Sequence, residues 1–90
     1  KYKNPSENEK LALQALVKTL EQCNDQMSPE DIQTLIYSTG KENGYAENLR
    51  DWFKLIYEVV FGDQNGPRIG FFISFFGVTE TQNLIKQKIK

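Results

Sequence analysis

Ninety residues make one small domain, and a chain of that length buries only about 60–65% of the surface its unfolded form exposes, so its core must be filled efficiently. With 39% hydrophobic residues, 26% charged residues and a net charge of −1, it reads as a soluble globular domain without the global positive field that draws a protein to nucleic acid or an anionic membrane. A single cysteine excludes an internal disulfide, and the lack of histidine removes the usual zinc clusters and the commonest general base.

The first helix is expected to open at Asn4-Pro5-Ser6-Glu7, with Asn4 as the cap, Pro5 at the first helical position and Glu7 at the third, and to run to about Cys23. Leu13, Leu16, Val17 and Leu20 form its apolar stripe, with Lys10, Gln14, Lys18 and Glu21 opposite. Cys23 extends the stripe and reads as a small buried hydrophobe, since no neighbouring cation would activate its thiol. Ser28-Pro29-Glu30-Asp31 repeats the start signal for a second helix, to about Asn43, whose inward face is Ile32, Leu35, Ile36 and Thr39 and whose stop is Gly44. Tyr37 points away from that face. It is either a surface residue, a platform for an unpaired base or a contact to another domain.

Leu49, Trp52, Phe53, Ile56 and Val60, widened by Leu55 and Val59, predict a third helix ending at Gly62, with Trp52 in the core. Arg50, Lys54 and Tyr57 recur at i, i+4, i+7 on its flank, a basic and aromatic edge suited to a phosphate backbone. The plainer reading is a solvated face, because Asp51 and Glu58 lie beside it. Residues 63–66 read as a loop without the spaced carboxylates of a calcium site.

The run from Gly66 to Gly77 is the most apolar of the chain. Gly66 as cap and Pro67 at the first position predict a helix over 67–76, buried on nearly all sides, with Gly77 in the left-handed conformation that ends it; a strand is the rival reading of so short a run. Gly70 and Ser74 share one face and would let a neighbouring helix come close. Thr79 to Gln82 has the form of a capping box for a fifth helix, with Leu84, Ile85 and Ile89 inward and Lys86, Lys88 and Lys90 at its C-terminal end. The expected fold is therefore all-α: an irregular bundle of about five short helices in which the apolar helix 67–76 is central.

Catalysis, cofactors and metals find no support in the residues. The carboxylates Glu30-Asp31 and Glu47 with Asp51 sit in polar surroundings, and Gly40 to Gly44 lacks the spacing and Lys-Ser/Thr of a phosphate-binding loop. No apolar run approaches the roughly 20 residues of a membrane span.

The run Glu47 to Gly62, containing Trp52-Phe53 and Ile56-Tyr57-Glu58, then Gly66-Pro67-Arg68-Ile69-Gly70-Phe71-Phe72-Ile73 and Gly77-Val78 with Glu80, resembles the C-terminal end of class I lysyl-tRNA synthetases over about residues 28–85. The resemblance implies a parent enzyme that activates lysine with ATP, cytoplasmic and monomeric, of which this chain is a non-catalytic C-terminal fragment: a single helical domain, part of the anticodon-binding helical cage. Its partners would be the anticodon stem-loop of lysine tRNA and the preceding domains of the same polypeptide. Glutamyl-tRNA synthetases have a similar cage and remain the alternative, as does a helical interaction module that touches no RNA. An anticodon loop is single-stranded RNA read by stacking and hydrogen bonds, which a mildly acidic domain can do. The candidate RNA-binding residues are Arg68, Arg50, Lys54, Tyr57 and Tyr37. For Arg68 the competing reading is an ion pair or hydrogen bond that fixes the loop over 63–66.

Overall fold

Ser6 and Ser28 each open a helix by exchanging hydrogen bonds with the third residue that follows. In a computed structural model of the chain, which describes residues 4–24 and 26–90, the Glu9 N–H donates to Ser6 Oγ at 3.3 Å and the Ser6 N–H donates to Glu9 Oε1 at 2.8 Å. The same box joins Ser28 to Asp31 at 3.1 and 3.2 Å. These boxes start α1 (Glu7–Leu20) and α2 (Pro29–Gly40). The expected cap at Asn4 is thereby corrected: Pro5 precedes the cap and is buried, and Ser6 with Glu9 supplies the reciprocal pair that Asn4 and Glu7 do not form. Beyond Leu20 the chain tightens into i→i+3 turns, the Cys23 N–H donating to Leu20 O at 3.0 Å, so Cys23 follows the helix and packs half-buried against the core.

After Gly40 the backbone widens into a π-helical turn, Lys41–Tyr45, broken by Gly44 at φ 99° where a stop was expected. Helix α3 (Leu49–Val60) stops just before Phe61 and Gly62, the latter at φ 73°, close to the end expected at Gly62. Its Trp52 is fully buried, and the indole N–H donates to Ile36 O at 2.9 Å. The ring lies against Gly40, where an added Cβ would come within 2.6 Å of Trp52 Cγ, so this crossing of α2 and α3 depends on a missing side chain. Tyr45 closes the other side, its ring 5.2 Å from that of Trp52.

Helix α4 (Ile69–Phe76) departs from expectation in two ways. It begins two residues late, because Arg68 is still extended (ψ 127°) and stands at the cap position, with Gly66 and Pro67 exposed in the loop. Its first turn is set by docking on α2: the Gly70 N–H donates to Gln33 Oε1 at 2.7 Å, and a Cβ on Gly70 would lie 2.6 Å from Pro29 O. Gly70 thus permits the close approach foreseen for it, whereas Ser74 is exposed.

The second departure is larger. Only Ile69, Gly70 and Ile73 of α4 are buried, while Phe71 is 38%, Phe76 43% and Phe75 93% exposed. The helix is not the enclosed centre of the bundle. It lies chiefly on α2 and touches α5, so one face is covered and the other is bare. The core instead joins Leu13, Leu16 and Leu20 of α1 to Trp52, Ile56 and Val59 of α3, roofed by Ile36, Ile69, Ile73 and Ile85.

Gly77 has φ 119° and ψ 140°, a conformation open to glycine but not the left-handed helical one expected. It serves both neighbours: its N–H donates to Ile73 O at 2.8 Å, and its carbonyl accepts the Thr81 N–H at 3.1 Å and the Thr81 hydroxyl at 2.7 Å. Helix α5 (Val78–Lys88) therefore starts at once, with Thr79 already inside it, and the box foreseen over Thr79 to Gln82 does not form. Gln82 reaches α1 instead, donating from Nε2 to Val17 O at 2.9 Å. Ile85 is buried and Leu84 and Ile89 half-buried, as their spacing predicts. Five helices and no strand make up the described residues, which bears out the all-α expectation. Among the described residues no helix is long and apolar enough to cross a membrane.

Candidate nucleic-acid interface

The outward flank of α3 and the loop that follows it form a groove of about 390 Å³ lined by Arg50, Asp51, Phe53, Lys54, Tyr57, Gln64 and Asn65. Helical spacing puts Arg50, Lys54 and Tyr57 on one side of α3, and the chain reversal at Gly62 folds the loop back beside them. Arg50 and Lys54 are exposed at the rim, while Phe53 and Tyr57 are half-buried and supply aromatic walls. Burial pushes the Tyr57 phenol above its ordinary 10.0, opposed by the positive charge of Arg68, so the hydroxyl is a hydrogen-bond donor at neutral pH.

A row of aromatic rings holds the loop in place. Tyr57 meets Phe61 at 5.9 Å, Phe61 meets Phe72 edge-on at 4.7 Å, and Phe72 stacks on Phe76 at 5.0 Å. Gly66 crosses over the Phe61 ring so closely that a Cβ there would lie 2.9 Å from Cδ2. Within the loop the Gln64 N–H donates to the Asp63 carboxylate at 2.7 Å.

Of the five residues singled out in the sequence, the fold brings Arg50, Lys54 and Tyr57 to one groove and Arg68 within electrostatic reach of Tyr57. Arg68 forms no ion pair among the described residues; its guanidinium lies over the Phe71 ring, 5.0 Å from the centroid. The expected loop-fixing bond of Arg68 is absent there, and Asp63 and Phe61 hold the loop instead. The anion-binding potential of the α4 N-terminus is reduced, because the Gly70 N–H already has Gln33 as its acceptor. Tyr37 is 45% exposed and lies outside the groove, its ring 6.2 Å from Phe53 and 5.7 Å from Lys41 Nζ.

Sequence reasoning missed Gln64 and Asn65, whose only signal was turn composition, and assigned Phe53 wholly to the core although its i, i+4 relation to Tyr57 marks the same flank. Asp51 tempers the positive rim and accepts a hydrogen bond from Asn48 Nδ2 at 2.6 Å. A second depression of about 200 Å³ is lined by Glu9, Tyr45, Asp51, Lys54, Leu55 and Glu58, with three carboxylates against one cation, so it suits a polyanion less than the groove does.

Elsewhere, burial raises the Cys23 thiol above its ordinary 9.0, which suits a packing role better than a nucleophilic one. The described residues hold no group of three or more histidines, cysteines or carboxylates placed to bind a metal.

Over 98% of its length the chain is 43% identical to the lysine–tRNA ligase of Rickettsia felis and to that of Rickettsia bellii, and 42% identical to that of Rickettsia massiliae. It spans 17% of the length of these relatives. No family model and no solved structure matches it.

Proposed function

We propose that this chain is a helical tRNA-binding domain of a lysine–tRNA ligase of class I, at the C-terminal, anticodon-binding end of that enzyme. The observation that carries the reading is the 42–43% identity to lysine–tRNA ligases along nearly the whole chain. The groove beside α3 supports this reading: Arg50 and Lys54 offer cations to phosphates, and Phe53 and Tyr57 offer aromatic surface to an unpaired base. Arg68, held over Phe71 at the same end, extends that face toward α4. Under this reading the parent enzyme is a cytoplasmic monomer that attaches lysine to its tRNA at the expense of ATP, and this domain positions the tRNA without taking part in the chemistry.

The test is a titration of the full ligase with lysine tRNA at two salt concentrations. Neutralised phosphates give an affinity that falls with salt, and each lost contact lowers the logarithmic slope by about 1. Arg68→Ala is expected to weaken binding and flatten the slope while the circular dichroism of the domain stays unchanged. Equal affinity and slope in the variant would remove Arg68 from the interface. A second reading, a helical brace within the enzyme that does not touch RNA, is favoured by the bare Phe71, Phe75 and Phe76 face of α4. It predicts no effect of any groove variant on tRNA affinity.

A further inference from the structure

We propose that the outer face of α4 is the seat of another part of the same ligase polypeptide, which lays an apolar surface over Phe71 and Phe75 and enters the depression beside Ser74. The inference rests on the reading of this chain as one domain of a longer lysine–tRNA ligase, and it concerns residues that do not line the groove beside α3. Phe75 stands almost fully exposed, and Phe71, one turn before it, is exposed on the same side of the helix; Phe76 is exposed beside them and stacks on Phe72. No charged residue falls between Ile69 and Val78, although 26% of the chain is charged, and the strip ends at exposed Arg68 on one side and exposed Glu80 on the other. A contiguous bare aromatic strip with a polar rim is the mark of a surface that another surface covers.

Beside the strip lies a depression of about 170 Å³ whose lining includes Met27, Ile32, Ile73, Ser74 and Val78. Projecting rings and an apolar hollow thus stand next to each other, the relief into which the ridges of a packing helix fit. The inner side of α4 is already fixed by buried Ile69 and Ile73 and by the Gly70 bond to Gln33, so the rings are presented by a docked helix and little ordering accompanies their burial. The size of the face selects the occupant. A helix of eight residues is about 12 Å long and about 10 Å wide, so its outer face offers at most about a few hundred Å². Separate molecules need about 800 Å² on each partner for a stable complex, so a second copy or a free protein would gain too little here. A covalently connected neighbour needs less, because its link holds it at an effective concentration in about the millimolar range. The lysine–tRNA ligases that the chain resembles contain such neighbours: it spans 17% of their length, and more than four-fifths of each polypeptide lies elsewhere.

The experiment uses the full ligase without tRNA. With Phe75 replaced by the photoreactive p-benzoylphenylalanine, which keeps the aromatic ring, irradiation is expected to join that side chain to a peptide outside these ninety residues, in a product with the mass of one chain. In Ser74→Cys, which exchanges an oxygen for a sulfur at the border of strip and depression, the added thiol is expected to react with a maleimide about tenfold or more slowly in the native ligase than in urea, whatever the protein concentration. The ligase without the added cysteine serves as the blank. Labelling within about twofold of the rate in urea, or irradiation that yields no link beyond the ninety residues, would mean that the face stays bare in the whole enzyme and would overturn the proposal. A photoproduct of doubled mass, or protection that is lost on dilution, would overturn it in favour of a second copy. Charging of lysine tRNA by the same preparation tests the ligase reading separately: its absence would remove that reading, while the photolink and the labelling rate would still decide whether the rest of the polypeptide covers α4.

Discussion

Helices α3 and α4 treat their apolar residues in opposite ways. α3 interleaves Arg50, Asp51, Lys54, Tyr57 and Glu58 with its large hydrophobes, so a 3.6-residue period sends Trp52, Leu55, Ile56, Val59 and Val60 inward and leaves a polar flank for the groove. α4 is apolar at nearly every position, has no such period, and buries only Ile69, Gly70 and Ile73. A helix resting on one main neighbour covers one face, whatever the other face carries. The pattern of hydrophobicity, not its amount, decides how much of a helix is buried: α3 sends five large side chains inward, α4 only Ile69 and Ile73.

The sharpest way to break this comparison is to empty the buried face of α3. Trp52→Ala empties a fully buried site and deletes the indole bond to Ile36 O, and it is expected to destabilise the domain by about 3–5 kcal/mol, a large share of the stability of so short a chain. Urea unfolding followed by circular dichroism measures it. A loss below about 1 kcal/mol would show that the neighbours collapse into the space and that Trp52 is not what the bundle is built on.

Gly70→Ala tests the one tight contact α4 makes, and two effects of opposite sign compete. Alanine in a helix interior gains about 1 kcal/mol over glycine. The new Cβ would meet Pro29 O at 2.6 Å and the Gln33 nitrogen at 2.7 Å, both backbone atoms that cannot swing aside, and overpacking of this kind costs about 1–3 kcal/mol. The contact should win, giving a net loss of up to about 2 kcal/mol in the same unfolding experiment. A stabilised variant would mean that α4 slides freely on α2, and the supported loop over 63–68 would lose its anchor.

The helix count and the inward faces of α1, α2, α3 and α5 were legible in the sequence because amphipathic periodicity is a local property. Stops that need glycine, at Gly44 and Gly62, were legible for the same reason. The start of α1 was not, since Asn4-Pro5 and Ser6 offer competing caps and only the reciprocal bond to Glu9 decides between them. The burial of α4 could not be read because an unbroken apolar run points nowhere in particular. Half of the candidate site shared the legible kind of signal: Arg50, Lys54 and Tyr57 lie on one helix. Gln64 and Asn65 reach the groove only because Phe61 packs on Phe72, a contact across ten residues that no local pattern announces.

The smallest expected effect sharpens the comparison most. Phe75→Ser alters a side chain that is 93% exposed, so no transfer from water is lost, and the isolated chain should change by no more than about 0.5 kcal/mol. The same substitution at Ile73, one turn from Ile69 and only 1% exposed, would cost several times more. Because a bare phenylalanine contributes nothing to this fold, any larger effect of Phe75→Ser on the thermal midpoint of the full ligase has to come from a surface that covers it there. Measured on both chains, the variant separates the two roles open to α4. Equal small shifts leave it as the support of the 63–68 loop, and a large shift confined to the full enzyme makes its outer face a seat for another part of the enzyme.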